Sequence, residues 1–298
     1  MDDTYRKEVS AIKTKKELAQ DKLNAWAPKL RCPYCQKQVE LADGALVCQN
    51  NHSFDLAKQG YLNLLPNHHE EHYDQALFEA RFELINHSVF YEGIYQQIKQ
   101  LLIENNLDSP NQFIIDLGTG EGTHLNFLQD IFENTQTLGL DIAKSAIQTA
   151  AKHYTDSLWM IGDLGNIPVQ DQVLDGVLTL LTPSNYGETK RTLKKNGWFI
   201  KIIPGNHYLK ELREIVLPKE KVSHQPEASI KRFENNFTLV QQSKYNRTHI
   251  LNTQDKENLI QMTPLMWNAT NTQQVEARQL EEITVDLIIL LGITPERE

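Results

Sequence analysis

A predicted strand, a glycine-rich turn and a predicted helix follow one another near the middle of the chain, and this unit constrains the fold most strongly. The apolar run 113–115 leads into residues 116–122, Asp-Leu-Gly-Thr-Gly-Glu-Gly. A second apolar run, 137–140, ends in another acid, Asp141. Glycines in such a turn let the backbone approach a ligand, and an acid after the next strand can bind a ribose. The unit therefore predicts a nucleotide-containing ligand above a parallel sheet.

The pattern around this turn alternates between strands and helices. Such alternation predicts an α/β fold in which helices cover both faces of a parallel sheet. Further along, 237–240 and 284–290 are candidates for a last strand pair, with a helical segment over 255–266 between them. The remaining predicted strands cover 159–161, 176–181 and 198–203, and the predicted helices near the turn cover 125–131 and 145–154.

All three cysteines of the chain fall within one short segment. Cys32-x2-Cys35 is followed, after twelve residues, by Cys48-x3-His52. Two such pairs suit a tetrahedral zinc ion, and four protein ligands leave no open position, so the predicted role is structural. The alternative is three buried free thiols and an unrelated histidine. An odd number of cysteines excludes complete pairing into disulfides.

The composition shifts along the chain divide it into four segments. His68, His69 and His72 lie in a polar stretch that is typical of a solvated linker rather than of a second metal site. Short helices are expected over 15–26, 76–85 and 94–103. The expected segments are a polar N-terminal extension (1–29), a zinc-binding module (30–66), a linker with connecting helices (67–109) and the main domain (110–298).

The charge is unevenly distributed. The chain carries −9 in all, but residues 1–66 carry +2 and the remainder −11. Because nucleic-acid phosphates attract lysine and arginine, the N-terminal part is the better candidate for contact with RNA. No apolar run approaches the ~20 residues that cross a bilayer, and the charged start is unlike a signal peptide, so we expect a cytoplasmic protein without a membrane partner.

The spacing alone leaves the ligand open, since the turn and Asp141 fit a nicotinamide dinucleotide equally well. Residues 116–122, however, resemble motif I of class I S-adenosylmethionine methyltransferases. The resemblance implies that Asp116 and the glycines, Gly118 among them, approach the amino-acid end of the cofactor. It also implies that Asp141 binds the ribose hydroxyls and that Asp163 contacts the adenine amino group. The structural alternative is that Asp116 and Asp163 only cap helices.

A wider set of segments resembles the RlmA family of 23S rRNA (guanine-N1) methyltransferases, which includes the tylosin-resistance type. The segments are the zinc module with 53–66 (SFDLAKQGYLNLLP), Ala80-Arg81, the turn near Tyr91, motif I, Pro204-Gly205 and 262–267 (MTPLMW). The resemblance implies a class I (Rossmann-like) methyltransferase domain behind a zinc-ribbon-like module, and a homodimer. Tyr208 stands where the family commonly has histidine. The implied additional cofactor contacts are Tyr91, Gly120, Glu121, Gly122, Thr123 and Tyr208.

The function that the resemblance implies is transfer of a methyl group from S-adenosylmethionine to a guanine in a hairpin loop of 23S rRNA. Thr182-Pro183 follows the fourth predicted strand, where an Asn-Pro-Pro-Tyr type motif would indicate adenine N6 chemistry. That motif is absent, and no residue is identified as the catalytic base. Two alternatives remain: a small-molecule methyltransferase of the same fold, and a non-catalytic zinc-ribbon RNA-binding protein.

Overall fold

The computed structural model describes residues 13–66, 73–88, 90–131 and 134–295. The expected linker histidines, His68, His69 and His72, lie outside the described residues. Within them, no helix is both long and apolar enough to cross a bilayer. The helices are α1 (Lys15–Trp26), α2 (Gln75–His87), α3 (Glu92–Glu104), α4 (Thr123–Leu128), α5 (Lys144–His153), α6 (Tyr186–Thr192), α7 (Lys210–Val216), α8 (Glu227–Glu234), α9 (Thr253–Met262) and α10 (Asn271–Arg278). The strands are β1 (Val39–Ala42), β2 (Ala45–Cys48), β3 (Ser53–Asp55), β4 (Tyr61–Asn63), β5 (Phe113–Leu117), β6 (Gln136–Asp141), β7 (Leu158–Ile161), β8 (Leu174–Leu180), β9 (Leu193–Pro204), β10 (Thr238–Ile250) and β11 (Glu282–Ile293).

A mixed sheet forms the centre of the main domain, and the predicted α/β fold is confirmed. In the described part of the chain its strand order is β10-β11-β9-β8-β5-β6-β7-β4. Strands β4 to β9 run parallel, and β11 lies antiparallel between β9 and β10. The chain leaves β5 towards β6 on one side and returns to β8 on the other. In such sheets the crevice at this switch point, outside the carboxyl ends of the strands, binds ligands.

The last strand pair is longer than the sequence predicts. Residues 237–240 and 284–290 were expected, but β10 and β11 pair from Thr238 opposite Ile293 to Ile250 opposite Glu282. β10 is the edge strand, and all its positions except the buried Tyr245 are exposed or half-buried, so it lacks an apolar run. Its neighbour β11 is buried along most of its length and was recognisable for that reason.

The second half of the expected polar extension is a packed helix. Thr14 and Glu17 form a reciprocal capping box that begins α1. Leu23 and Trp26 are fully buried, and the Trp26 ring meets the Phe113 ring edge-on at 5.1 Å between centroids. Only a narrow stripe of this polar helix is apolar and buried, so the periodicity of the sequence does not indicate that the helix packs against the main domain. Part of the segment 1–29 thus covers the sheet of the main domain.

The zinc-binding segment also contributes to the main sheet. Strands β1, β2 and β3 form a separate three-stranded antiparallel ribbon, as expected of a small module. β4, which follows within 30–66, instead pairs in parallel with β7, with Tyr61 opposite Trp159. Leu62 of β4 is fully buried in the same hydrophobic core as Met160 of β7. The ribbon and the main domain therefore share one core.

Candidate functional sites: the zinc ribbon and the cofactor cavity

Four side chains with metal-binding atoms converge at one end of the ribbon. The sulfurs of Cys32, Cys35 and Cys48 and a ring nitrogen of His52 all lie within 4.8 Å of one another. His52 Nδ1 lies 3.4 Å from the Sγ atoms of both Cys32 and Cys48. The Cys35 and Cys48 sulfurs are 3.6 Å apart.

These distances fit a tetrahedral zinc ion. With Zn–S bonds of ~2.3 Å and Zn–N bonds of ~2.0 Å, the edges of the tetrahedron are about 3.8 Å between sulfurs and about 3.5 Å between sulfur and nitrogen. The ligand set of three cysteines and one histidine is that of a structural site with no open position. Zinc held here supplies folding energy to the ribbon, and it offers no place for a substrate.

Tight turns bring each ligand pair together. Cys32 O accepts a hydrogen bond from Gln36 N at 2.9 Å, and Cys48 O accepts one from Asn51 N at 2.9 Å. Gln36 and Asn51 take left-handed backbone conformations, with φ of 62° and 58°. Asparagine tolerates that region well, so its position in the second turn is a recognisable local signal.

The first zinc turn touches the loop that carries Asp163. Asn166 Nδ2 donates to Pro33 O at 2.8 Å, and Asn166 Oδ1 accepts from Gln36 Nε2 at 3.2 Å. The Asn166 backbone N–H in turn donates to Asp163 O at 3.0 Å. One asparagine thus bridges the metal turn and the expected adenine contact, a link that the sequence gave no reason to expect.

A cavity of about 870 Å³ opens at the carboxyl ends of the central strands. Ligand sites are typically ~300–1,000 Å³, so the space suits a nucleoside cofactor together with part of a second substrate. Of the expected contact residues, these line its wall: Gly118, Gly120, Asp141, Asp163 and Tyr208.

The glycine turn meets the cavity because its backbone takes positive φ values. Gly118 has φ +73°, and a Cβ there would lie 2.3 Å from Thr182 Cγ2. Gly120 has φ +58°, and its N–H donates to Asp141 Oδ2 at 2.8 Å. A side chain at Gly118 would thus collide with the loop after β8, while Gly120 fixes the acid that ends β6.

Both carboxylates expected on the nucleoside have acceptor capacity left. Asp141 Oδ1 accepts from Ala143 N at 2.9 Å and Oδ2 from Gly120 N, which leaves one lone pair on each oxygen for a hydroxyl. Burial raises the pKa of Asp141, and the two backbone hydrogen bonds oppose that shift. Asp163 Oδ1 accepts from Gly165 N at 2.7 Å, while Oδ2 accepts no hydrogen bond from the described chain. The pair fits a ribose diol and an adenine amino group.

The other expected contacts lie behind the cavity wall. Tyr91, Asp116, Glu121, Gly122 and Thr123 are not among its lining residues. Thr123 Oγ1 instead accepts from Asn86 Nδ2 at 3.1 Å and lies 3.1 Å from the Tyr154 hydroxyl. A Cβ on Gly122 would come within 2.6 Å of the Trp159 ring. The structure gives Gly122 and Thr123 packing roles, because they begin α4 against β7 and α2.

Asp116 is a buried carboxyl at the start of the turn. Its Oδ2 accepts from Thr119 Oγ1 at 2.8 Å, but Oδ1 has no donor within the described chain. Burial raises its pKa to about 7, the Thr119 hydrogen bond opposes the rise, and the nearby Asp141 and Glu121 add to it. A buried acceptor without a donor beside a ligand cavity fits a site that receives a cationic group or a water molecule.

Tyr91 reaches the cavity through Tyr208. The two hydroxyls are 2.8 Å apart, and only the Tyr208 side chain lines the wall. Burial raises the pKa of both phenols. The histidine common in the family at position 208 is thus replaced by a neutral group that still has a hydrogen-bond partner.

Several residues that line the cavity are not predicted by any local sequence pattern. Arg81 of α2 is one of them, because the sequence indicates it only within the Ala80-Arg81 segment that resembles the RlmA family. Arg213 of α7 lines it too, and its NH1 donates to His224 Nε2 at 2.8 Å. Tyr73 also lines the cavity. No local spacing relates these positions to the glycine turn, since the sheet topology alone brings α2, α7 and the loop before α8 to the same crevice.

Known proteins resemble both parts of the chain. The family model described as "RlmA, N-terminal" matches residues 30–72, and the model described as "Methyltransferase domain" matches residues 114–197. A putative methyltransferase from an antibiotic biosynthesis pathway of Anabaena variabilis has a TM-score of 0.50 at 14% identity, covering 66% of this chain and 96% of its own. At that identity the likeness concerns the fold alone.

Two curated relatives match nearly the whole chain. A putative 23S rRNA (guanine-N(1)-)-methyltransferase of Bacillus subtilis is 33% identical over 273 residues, covering 88% of this chain and 96% of the relative. The 23S rRNA (guanine(748)-N(1))-methyltransferase of Streptomyces fradiae is 26% identical, covering 89% and 94%. The match spans the ribbon, the glycine turn and the cavity together. The chain therefore belongs to the RlmA family of 23S rRNA (guanine-N1) methyltransferases.

Proposed function

We propose that the protein transfers a methyl group from S-adenosylmethionine to N1 of a guanine in a hairpin loop of 23S rRNA. The observation that carries the proposal is a single cavity lined by two chemically different sets of residues. The glycine turn, Asp141 and Asp163 fit the cofactor. Arg213 and His224 line the same cavity and carry hydrogen-bond donors for an acceptor base. Thr182-Pro183 also lines it, and Thr182 Oγ1 donates to Gly118 O of the glycine turn at 3.3 Å.

The cofactor supplies a methyl group on a sulfonium, which is a good leaving group, so the chain has mainly to position the acceptor. Guanine N1 carries a proton in the neutral base, and its loss leaves negative charge on O6. Burial, followed by the neighbouring Arg213, lowers the pKa of His224, so its ring is neutral. Because arginine can only donate, His224 Nε2 accepts and Nδ1 carries the proton. Arg213 and the Nδ1–H provide donors that would stabilise charge on O6.

We assign recognition of the RNA hairpin to the zinc ribbon. Tyr34, between the first two zinc ligands, is 53% exposed, and its ring is 5.7 Å from the Phe54 ring centroid in a stacked arrangement. An exposed ring held in this way can stack on an unpaired base, as in many RNA-binding modules. The positive net charge of residues 1–66 also favours this part of the chain as the RNA-binding part.

The proposal also includes that the protein is a cytoplasmic homodimer. Light scattering would measure its mass and therefore its oligomeric state.

The test is to incubate the purified protein with labelled S-adenosylmethionine and 23S rRNA from a strain that lacks it. We expect label in the RNA and an arrest of primer extension at one guanine, because N1 methylation blocks base pairing. Protein with Asp141→Asn serves as the control. RNA binding without label would indicate a non-catalytic RNA-binding protein. Label in a small molecule but not in RNA would indicate a small-molecule methyltransferase; either result would overturn the proposal.

A further inference from the structure

Arg81 brings a positive charge to the cavity wall beside the glycine turn. It lies in α2 and lines the cavity, and a Cβ on Gly120 would lie 3.5 Å from its Nε atom. Its partner Glu121 is fully buried and does not line the cavity. From inside the cavity, the guanidinium is therefore the accessible member of the pair.

Two groups behind Arg81 fix the orientation of its guanidinium. Arg81 Nε lies 2.5 Å from Glu121 Oε2, although the N–H is not aligned for a hydrogen bond, so the contact is an ion pair. Arg81 NH2 lies 2.5 Å from His124 Nε2. Burial and then Arg81 itself lower the pKa of His124, so the ring is neutral and Nε2 accepts. His124 Nδ1 then donates to the Tyr95 hydroxyl at 2.5 Å.

Arg81 keeps its charge in this position. Burial is the largest influence and opposes the charged form, but the carboxylate of Glu121, together with the smaller contributions of three neighbouring tyrosines, more than offsets it and raises the pKa of Arg81. The guanidinium has five N–H donors, and its contacts with Glu121 and His124 involve only the Nε and NH2 atoms. The remaining donors on NH1 and NH2 form an edge of the kind that binds a carboxylate at two points.

We propose that Arg81 binds the carboxylate of the methionine end of S-adenosylmethionine, and that Glu121 acts through Arg81 instead of touching the cofactor. The inference rests on the proposed function, in which the glycine turn approaches this end of the cofactor. Among the described residues one other arginine lines the cavity, Arg213. Each of its three guanidinium nitrogens already donates within the chain, to the carbonyls of Val222 and Lys221 and to His224.

The experiment compares two ligands that differ only in the carboxylate, S-adenosylmethionine and its decarboxylated analogue. Isothermal titration calorimetry measures both dissociation constants for the wild-type protein and for Arg81→Met. We expect the wild type to bind S-adenosylmethionine ~10- to 100-fold more tightly, as a charge-assisted contact allows. In Arg81→Met this preference disappears, and affinity for the decarboxylated analogue stays unchanged. The matched control, Arg213→Met, keeps the full preference.

Glu121→Gln separates the two possible roles of that carboxylate. Both ligands keep the ammonium group, so a direct contact from Glu121 would make the variant weaken both ligands equally. If Glu121 acts through Arg81, the variant mainly lowers the affinity for the ligand with the carboxylate. Thermal unfolding checks that each variant folds, and Arg81→Lys, which keeps a charge beside Glu121, replaces Arg81→Met if that variant does not fold. We expect it to lose most of the preference, because lysine lacks the planar fork.

Three results would overturn the inference: no preference in the wild type, a preference that survives the Arg81 substitutions, or an equal loss for both ligands. If the wild type binds neither ligand, the proposed function itself fails. The two failures are thus distinguishable in the same titration.

Discussion

The four zinc-ligand side chains come from residues 32–52, whereas the groups that line the cofactor cavity come from residues 73–273. In the ribbon, two turns of the chain are enough to place every ligand. In the cavity, the strand order places the glycine turn beside helices and loops that are distant in sequence. We therefore expect the ribbon to depend on a metal to stay folded, and the cavity to depend on buried charges that the rest of the domain holds in place.

The largest expected effect is on the ribbon. Cys48→Ser removes one of four ligands, and structural zinc contributes ~10–16 kcal/mol of apparent binding energy. Because Cys32 and Leu46 pack in the same core as Met160, loss of zinc should also destabilise the main domain. We expect a loss of about one zinc per chain in a colorimetric metal assay. The midpoint of thermal unfolding should fall by roughly 10 °C or more.

The neighbouring exposed residue provides the control, since Gln49→Ser should change neither measurement. Retention of zinc by Cys48→Ser, with an unchanged midpoint, would show that the four side chains do not form the metal site.

The second expected effect is a pH dependence of stability that comes from Asp116, behind the cavity wall. Burial raises the pKa of Asp116 to about 7, from 3.8 in the unfolded chain. Between these values the folded protein holds the proton more tightly, so the contribution to stability is present below pH 4 and is lost as the pH rises towards 7. The free energy of unfolding in urea should fall by up to roughly 4 kcal/mol over this range from this group. In Asp116→Asn this part of the pH dependence of the unfolding free energy should vanish. An identical pH dependence in both proteins would contradict a raised pKa of Asp116.

The third effect concerns the cofactor alone. In the wild type, the N–H groups of Gly120 and Ala143 each donate to one oxygen of Asp141. Asp141→Asn removes the negative charge and one of these two acceptor oxygens. We expect affinity for S-adenosylhomocysteine to fall ~10- to 100-fold in calorimetry. Zinc content and the thermal midpoint should change little. A variant that binds the ligand normally would mean that Asp141 only holds the glycine turn.

The smallest expected effect tests whether the two regions are independent. Asn166→Ala breaks the contact between the first zinc turn and the Asp163 loop, and we expect cofactor affinity to fall about 3- to 10-fold with zinc retained. Gln170→Ala is the matched control, since Gln170 Nε2 also joins the two regions, through Pro28 O and Leu30 O, but farther along the chain from Asp163. Equal losses of cofactor affinity in both variants would mean that the ribbon stabilises the domain as a whole and does not specifically position Asp163.

The sequence was informative where the signal is local. The Cys-x2-Cys and Cys-x3-His pairs, the glycine turn and the apolar strands each lie within a few residues, so spacing alone predicted them. Asp141, which ends β6, was predicted from its place after an apolar run, whereas Asp163 was implied by the resemblance to methyltransferases; both line the cavity. The role of β4 was not predictable, because three residues carry too little pattern to indicate a pairing with β7.

The spacing of residues along the sequence also does not determine the direction in which their side chains point. Glu121 and Thr123 are next to the glycines in sequence, yet both point into the packed interior. Arg81 lies forty positions from Glu121 and meets it only because α2 crosses the turn. Resemblance identifies which residues belong to a site, but contact with a ligand depends on the packing of the whole domain.

The pairing of β4 with β7 determines how this protein can be dissected. A chain cut after residue 66 would lose β4 and leave the hydrogen-bonding edge of β7 bare, next to the apolar side chain of Met160. Bare edges of this kind recruit strands from other molecules, so such a fragment would be prone to aggregate. Chimaeras that exchange ribbons between relatives should therefore place the junction before Tyr61 and keep β4 with its own catalytic domain.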